Sequence, residues 1–143
     1  MTRYVLLLAL AAGLVAPALA QAAPRKAPQK PLKLDPFPIG QSFRLASING
    51  KAVSGNLTLR VDDTFRGSGS SGCNSWSAAM YPLKNGRLAM GPVAMTKRAC
   101  PGPVMALERR YLYALHSGLR WSTPPGALVL KGAAGTLRFE RAY

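Results

Sequence analysis

Apolar and polar residues alternate with a period of two through most of the chain. In NLTLRV, Leu57, Leu59 and Val61 share one face while Thr58 and Arg60 share the other, the pattern of a half-buried strand. Asp62-Asp63 predicts a turn, and TFR resumes a strand with Phe65 inward. FRLASING ends in Asn49-Gly50, a hairpin signal between short apolar runs, and KNG at 84–86 repeats the device ahead of RLAM. Gly91-Pro92 parts RLAM from VAM, where Met90 and Met95 read as inward core positions. LRWST, ALVLK and TLRFERAY complete the series, separated by Pro124-Pro125-Gly126 and by the Gly132–Gly135 turn. Short strands punctuated in this way predict a mainly β fold, an antiparallel sandwich or barrel.

One segment keeps a different period. From Pro103, PVMALERRYLYALHSG places Val104, Leu107, Tyr111 and Leu115 on one helical face and Arg109 and Arg110 on the polar side. Pro103 suits a first turn, His116 falls in the last turn, and Gly118 suits a C-cap. The expectation is one amphipathic helix, with Met105 among its core residues, covering part of a β-structure.

The N-terminal stretch MTRYVLLLALAAGLVAPALA has one basic residue, an apolar run from Tyr4 to Ala16, then Pro17 and Ala18-Leu19-Ala20. That is the anatomy of a secretory signal peptide over residues 1–20, and the run is short for a membrane span of ~20 residues. With no cysteine near the cleavage site, the mature chain is expected to be exported and soluble rather than a lipoprotein. Residues 21–38 carry prolines at 24, 28, 31, 36 and 38 and the cations Arg25, Lys26, Lys30 and Lys33. Proline removes backbone donors and favours extended chain, so this segment reads as a stiff basic tether. Residues 39–143 are left for one domain with one core.

Charge changes the picture less. The full chain has 19 Lys and Arg against 5 Asp and Glu. Such a surplus attracts polyanions, but the bases are dispersed along the domain, which favours plain solubility over a binding patch.

Candidate chemistry is sparse. GSGSSG at 67–72 spells the glycine pattern of a dinucleotide loop through Gly67, Gly69 and Gly72. That motif needs a helix starting inside it and an acidic residue ~20 positions on, whereas CNSWSAAMYP has no helical stripe and GPVAM no carboxylate. The single histidine, His116, reads as a partner of the helix dipole rather than a base. No metal, cofactor or catalytic set is expected. In an oxidising compartment Cys73 and Cys100 suggest a bridge around 26 residues; two buried free thiols are the alternative.

Taken in order, Gly72-Cys73-Asn74, Thr96-Lys97-Arg98-Ala99-Cys100, Glu108 opening ERRYLYAL, and the closing GALVLKGAAGTLRFE resemble the META/HslJ domain family over residues 39–143. The opening FRLASINGKAV fits as well, with Phe43 where a tryptophan is usual; Lys97-Arg98 departs from a common methionine, and the lipid-attachment cysteine of many members is missing. The resemblance implies a small lipocalin-like antiparallel β-barrel with one α-helix packed against or into it. It implies a structural role for Gly72, Asn74, Thr96 and Glu108, and it places Cys73 and Cys100 in the two most specific motifs. The family is associated with bacterial envelope and heat-shock-type stress, including antibiotic tolerance, and no catalytic residues are carried over. The expected function is therefore that of a non-enzymatic, monomeric, periplasmic interaction module. Its expected partner is an envelope protein or an anionic surface of lipid, lipopolysaccharide or cell wall, rather than intracellular nucleic acid. Arg25, Lys26, Lys30, Lys33, Lys97 and Arg98 are the expected contacts. The alternative is a carrier of a lipid or small hydrophobic ligand, with Trp76, Tyr81, Tyr111 and Trp121 lining a mouth.

Overall fold

The computed structural model describes residues 36–143, so the expected leader and most of the expected tether lie outside the described residues. The elements run β1 (Ser42–Ile48), β2 (Lys51–Ala52), β3 (Thr58–Val61), β4 (Arg66–Ser70), β5 (Ser75–Leu83), β6 (Arg87–Met90), β7 (Ala94–Met95), α1 (Gly102–Leu115), β8 (Leu119–Ser122), β9 (Ala127–Gly132) and β10 (Gly135–Arg141). Neighbouring strands follow the order β10-β9-β8-β6-β5-β4-β3-β1, and β10 pairs back onto β1. The result is a closed, antiparallel barrel of eight strands with one helix, so of the two β architectures the alternation allowed, the chain adopts the barrel. Closure leaves this circuit with no free edge. The short β2 adds to β1, and β7 runs beside the first half of β5.

The turns follow their local chemistry. Asn49 and Gly50 both take positive φ, 52° and 75°, the conformation that a two-residue hairpin requires. Asn85 and Gly86 do the same between β5 and β6, at 62° and 68°. Asn49 Oδ1 also accepts from the Thr136 N–H at 2.7 Å, which ties the first hairpin to the last strand.

Inward positions fill the barrel. Leu57, Leu59 and Val61 meet Phe43, Leu45 and Ile48 from β1, Trp76 and Met80 from β5, and Leu128, Leu130, Leu137 and Phe139 from the last two strands, in one continuous core. The helix buries the face expected of it: Tyr111 and Leu115 are fully enclosed, with Val104 and Leu107 partly so. The Tyr111 ring lies 6.2 Å from both Trp76 on β5 and Phe139 on β10, and its hydroxyl donates to Thr58 O on β3 at 2.9 Å. Three strands from around the circuit thus meet one helical side chain, which sits inside the barrel. Burial there raises the Tyr111 phenol far above its ordinary range.

Several positions differ from their sequence reading. Phe65 points outward, 42% exposed, at φ 59°. One oxygen, Asp62 Oδ1, accepts from Thr64 N–H at 3.0 Å, Thr64 hydroxyl at 2.7 Å and Arg66 N–H at 2.9 Å. This turn holds Phe65 in the left-handed region and resets the alternation before β4 begins. The Thr64 hydroxyl, then the Arg66 N–H, also hold the Asp62 carboxyl below its usual value. Met95 shares a row with buried Trp76 yet is exposed, because β7 pairs only with β5 and no further strand covers it among the described residues. Met90 is half-buried, and the fully buried methionine is Met80. Trp76 and Trp121 are core residues, whereas Tyr81 faces outward. The strand β5 carries Pro82 near its end, beyond the last pairing with β4, where a missing N–H costs no ladder bond on that side.

The domain also begins earlier than the proline pattern indicates. Phe37, assigned by that pattern to the tether, is buried edge-on against Trp121 with ring centroids 5.4 Å apart. Gly40 N–H then donates to Val61 O at 2.7 Å and fixes the entry of the chain onto β3. Replacing Phe37 with alanine removes a buried aromatic ring and is expected to destabilise the domain by about 3 kcal/mol. Denaturant unfolding measures this; a loss below about 1 kcal/mol would mean that the ring covers Trp121 without sealing the core.

Candidate functional site

The conspicuous polar constellation lies where the β4–β5 turn meets the helix. At Gly69, β4 crosses so close to β3 that a Cβ would stand 1.9 Å from Thr58 O, and Thr58 Oγ1 accepts from Ser70 N–H at 2.9 Å. Gly72 follows at φ 96°, a conformation open to glycine. The chain therefore turns sharply, and Cys73 and Asn74 point inward, both buried. The glycines serve this turn. The helix needed for a pyrophosphate site does not follow them; β5 does.

Every polar group of Asn74 is engaged. Its N–H donates to Glu108 Oε2 at 3.0 Å, and its Nδ2 donates to Glu108 Oε1 at 3.0 Å. Its Oδ1 accepts from Thr96 Oγ1 at 2.8 Å and from Arg98 N–H at 2.7 Å, while its carbonyl accepts from Ser71 N–H at 2.8 Å. The Ser71 hydroxyl bonds to Glu108 Oε2 and also faces Asn74 O. Three segments thereby meet on one amide and one carboxylate, the β4–β5 turn, the loop after β7 and α1, and the start of β5 joins them through Ser75 N–H on Thr96 Oγ1. Glu108 is a buried carboxyl group met by three neutral donors, and a polar group so placed is tolerated only when its hydrogen bonds are complete.

Cys73 and Cys100 are bridged, with Cα atoms 6.0 Å apart. The bridge lies one residue from Asn74 and ties the turn to the approach of α1, two residues before Gly102. The polar contacts and the covalent link therefore fasten the same two pieces of chain.

The geometry excludes ready chemistry at this place. Ser71 is 0% and Glu108 3% exposed, so neither presents an atom to a substrate. His116, exposed at the far end of the helix, is two turns away from Glu108. Among the described residues, no three of His, Cys, Asp and Glu gather as a metal group.

Of the residues singled out from the sequence, Gly72, Cys73, Asn74, Thr96, Cys100 and Glu108 come together here. Lys97 and Arg98 have exposed side chains beside the junction, with only the Arg98 backbone taking part in it. Arg25, Lys26, Lys30 and Lys33 lie outside the described residues. Ser71 was missed, although it stands inside the same glycine-rich run. Also missed were Arg87, Arg120 and Lys131, dispersed in sequence but opposed on neighbouring strands.

The bridge makes a direct prediction. Closing a loop of this length stabilises by roughly 3–4 kcal/mol in the chain-entropy model. Cys73→Ala and Cys100→Ala are each expected to cost about 2–5 kcal/mol, and the double variant no more than either, because both remove one link. Unfolding of the three variants, with thiol counting on denatured, unreduced protein, checks this. Two reactive thiols per chain would contradict the bridge.

Comparison with known proteins agrees with the fold. Two solved structures share it: an NMR structure at 29% identity and TM-score 0.59, covering 70% of this chain and 87% of the other, and an NMR structure of a protein from Burkholderia xenovorans at 25% identity and TM-score 0.58, covering 84% and 99%. No curated protein matches the chain. The META domain family model matches residues 35–143, which include Phe37 and run through the closing strand. With the barrel, the helix and the GCN turn all inside that match, the chain belongs to the META domain family.

Proposed function

We propose that this protein is exported to the bacterial periplasm and works there as a non-enzymatic interaction module of the envelope, in stress or antibiotic tolerance. The observation that carries the reading is the Cys73–Cys100 bridge, because such links persist in oxidising compartments and are rare in the cytosol. The leader-like residues 1–20 support the same compartment. No helix among the described residues is long and apolar enough to cross a membrane.

Action through the outer surface is supported by the interior. Leu57, Met80, Tyr111, Leu128, Leu130, Leu137 and Phe139 are all fully buried and belong to one cluster. A carrier needs an apolar cavity of ~300 Å³ or more, and side chains fill that place here. A cleft of about 530 Å³ lined by Phe37 and Pro125 lies open at the surface rather than inside the barrel.

The test is fractionation of the native host followed by intact-mass measurement. The expected result is an exported chain lacking residues 1–20, with no free thiol, no bound hydrophobe in native mass spectra, and a discrete envelope adduct after in-cell cross-linking. A chain held in the cytoplasm with its leader would overturn the reading. A stoichiometric bound lipid would replace it with carriage.

A further inference from the structure

The strand order converts three dispersed cations into one row. Arg87 on β6 stands opposite Arg120 on β8, and Arg120 stands opposite Lys131 on β9. All three side chains are exposed. Adjacent strands lie ~4.8 Å apart, so the row spans roughly 10 Å of the barrel's outer face. Arg138 on β10, opposite Val129, is one diagonal step from Lys131. None of the four side-chain carboxylates of the described residues stands in the row: Asp62 and Asp63 are in the β3–β4 turn, Glu108 is inside, and Glu140, opposite Arg44, reaches only Arg138 two positions back on β10. Like charges placed directly opposite each other destabilise a sheet. The row therefore opposes folding, which points to an anionic group from outside as its counterpart.

One end of the row is apolar. Leu83 on β5 stands opposite Arg87, and two positions back Tyr81 stands opposite Ala89. The Tyr81 ring lies 5.6 Å from Phe65. These three are among the few large apolar side chains left exposed, at 47%, 50% and 42% for Leu83, Tyr81 and Phe65. Phe65 is held out at φ 59° by the hydrogen bonds to Asp62, a conformation that a bulky side chain adopts only at a cost and that tends to collect at working sites. An apolar, aromatic edge beside a row of cations matches the layering of a lipid interface: rings and aliphatic tips at headgroup depth, cations on the phosphates. A soluble polyanion would engage the cations but leave Phe65, Tyr81 and Leu83 in water.

We infer that the face centred on Tyr81, Leu83, Arg87 and Arg120, with Phe65 and Lys131 at its two margins where the barrel curves away, docks on the surface of an anionic phospholipid bilayer. This deepens the proposed role as an envelope interaction module and rests on it. It assigns the contact to a strand face rather than to Lys97 and Arg98 or the tether.

The experiment uses the full mature chain and co-sedimentation with vesicles of phosphatidylglycerol mixed with phosphatidylcholine, and of phosphatidylcholine alone. Binding to the anionic vesicles only, falling steeply with salt, is expected. Arg120→Glu removes two unit charges' worth of attraction at about 1 kcal/mol each, a loss of roughly 30-fold. The same substitution gives up one long, exposed bond, from the Arg120 guanidinium to Asn85 O at 3.4 Å, but places a carboxylate between Arg87 and Lys131, so the melting temperature should hold or rise; an arginine retained for that bond would lower it. Arg109→Glu, an equal charge change on the polar side of α1, should weaken binding by less than about 3-fold, because it lies off the docked face. Tyr81→Ser should weaken vesicle binding several-fold and leave binding to inorganic polyphosphate unchanged. Equal losses at Arg109 and Arg120, or indifference to Tyr81→Ser, would overturn the face in favour of diffuse charge or a soluble polyanion. Failure to bind anionic vesicles, in a chain that is exported and still cross-links to an envelope partner, would overturn the lipid face and spare the interaction module. Cytoplasmic retention would overturn the module itself.

Discussion

The fold depends on satisfying one buried carboxylate. Glu108 sits on the inner face of α1, 3% exposed, without a cation, and its oxygens are taken up by the Asn74 N–H, the Asn74 amide and the Ser71 hydroxyl. A carboxyl group in that position is strongly destabilising if any of its partners leaves, because a buried polar group then loses its hydrogen bonds without regaining water. The helix therefore cannot settle on the barrel in another register without orphaning the acid. Hydrophobic contact alone would be more permissive, since Val104, Leu107, Tyr111 and Leu115 form a smooth apolar stripe. The polar junction adds selectivity to what the stripe supplies in affinity, and Tyr111, reaching Thr58 O inside the barrel, repeats the device one turn later.

The other features near the junction can be read as its supports. Gly69 admits the close crossing of β3 and β4, Gly72 makes the turn, and the Cys73–Cys100 bridge restricts how far the turn and the helix approach can separate. Thr96 and Arg98 close the remaining valences of the Asn74 side chain with a hydroxyl and a backbone N–H. The short loop after β7 is thereby held by its bonds rather than by burial, since the residues from Ala94 to Ala99 are exposed. A rigid, filled barrel with a fastened helix leaves the outer strand faces as the variable part of the molecule, and there the cation row and the strained Phe65 are found.

Much of this was legible in the sequence, for physical reasons that differ by residue. The alternation in NLTLRV and the Asn49-Gly50 pair are local signals, and local geometry decides them. The helix could be placed from Pro103 through its period and its flanking residues, although it ends at Leu115 with His116 as its cap, where the sequence puts His116 in the last turn and Gly118 at the cap. Asn74, Cys73, Cys100, Thr96 and Glu108 could be named together through the family resemblance, and the Cys73–Cys100 bridge from the compartment and the even count, but not the hydrogen bonds, which join residues 34 positions apart in the case of Asn74 and Glu108. Phe65 was misplaced because a side chain four positions away in bonding, Asp62 to Arg66, overrides the simple period of two. The opposition of Arg87, Arg120 and Lys131 was invisible for a different reason. It depends on which strands become neighbours after the helix intervenes between β7 and β8, and no period in the chain encodes that order.

The central claim is that the Asn74–Glu108 contact acts as one unit that locks α1 onto the barrel. A double-mutant cycle measures it directly: Asn74→Ala, Glu108→Ala and the double variant, each compared with the parent by denaturant unfolding with the Cys73–Cys100 bridge intact. The account predicts that each single variant loses several kcal/mol and that the double variant loses little more than one of them, a coupling of about 2 kcal/mol or above. Losses that simply add, with a coupling below about 0.5 kcal/mol, would contradict it.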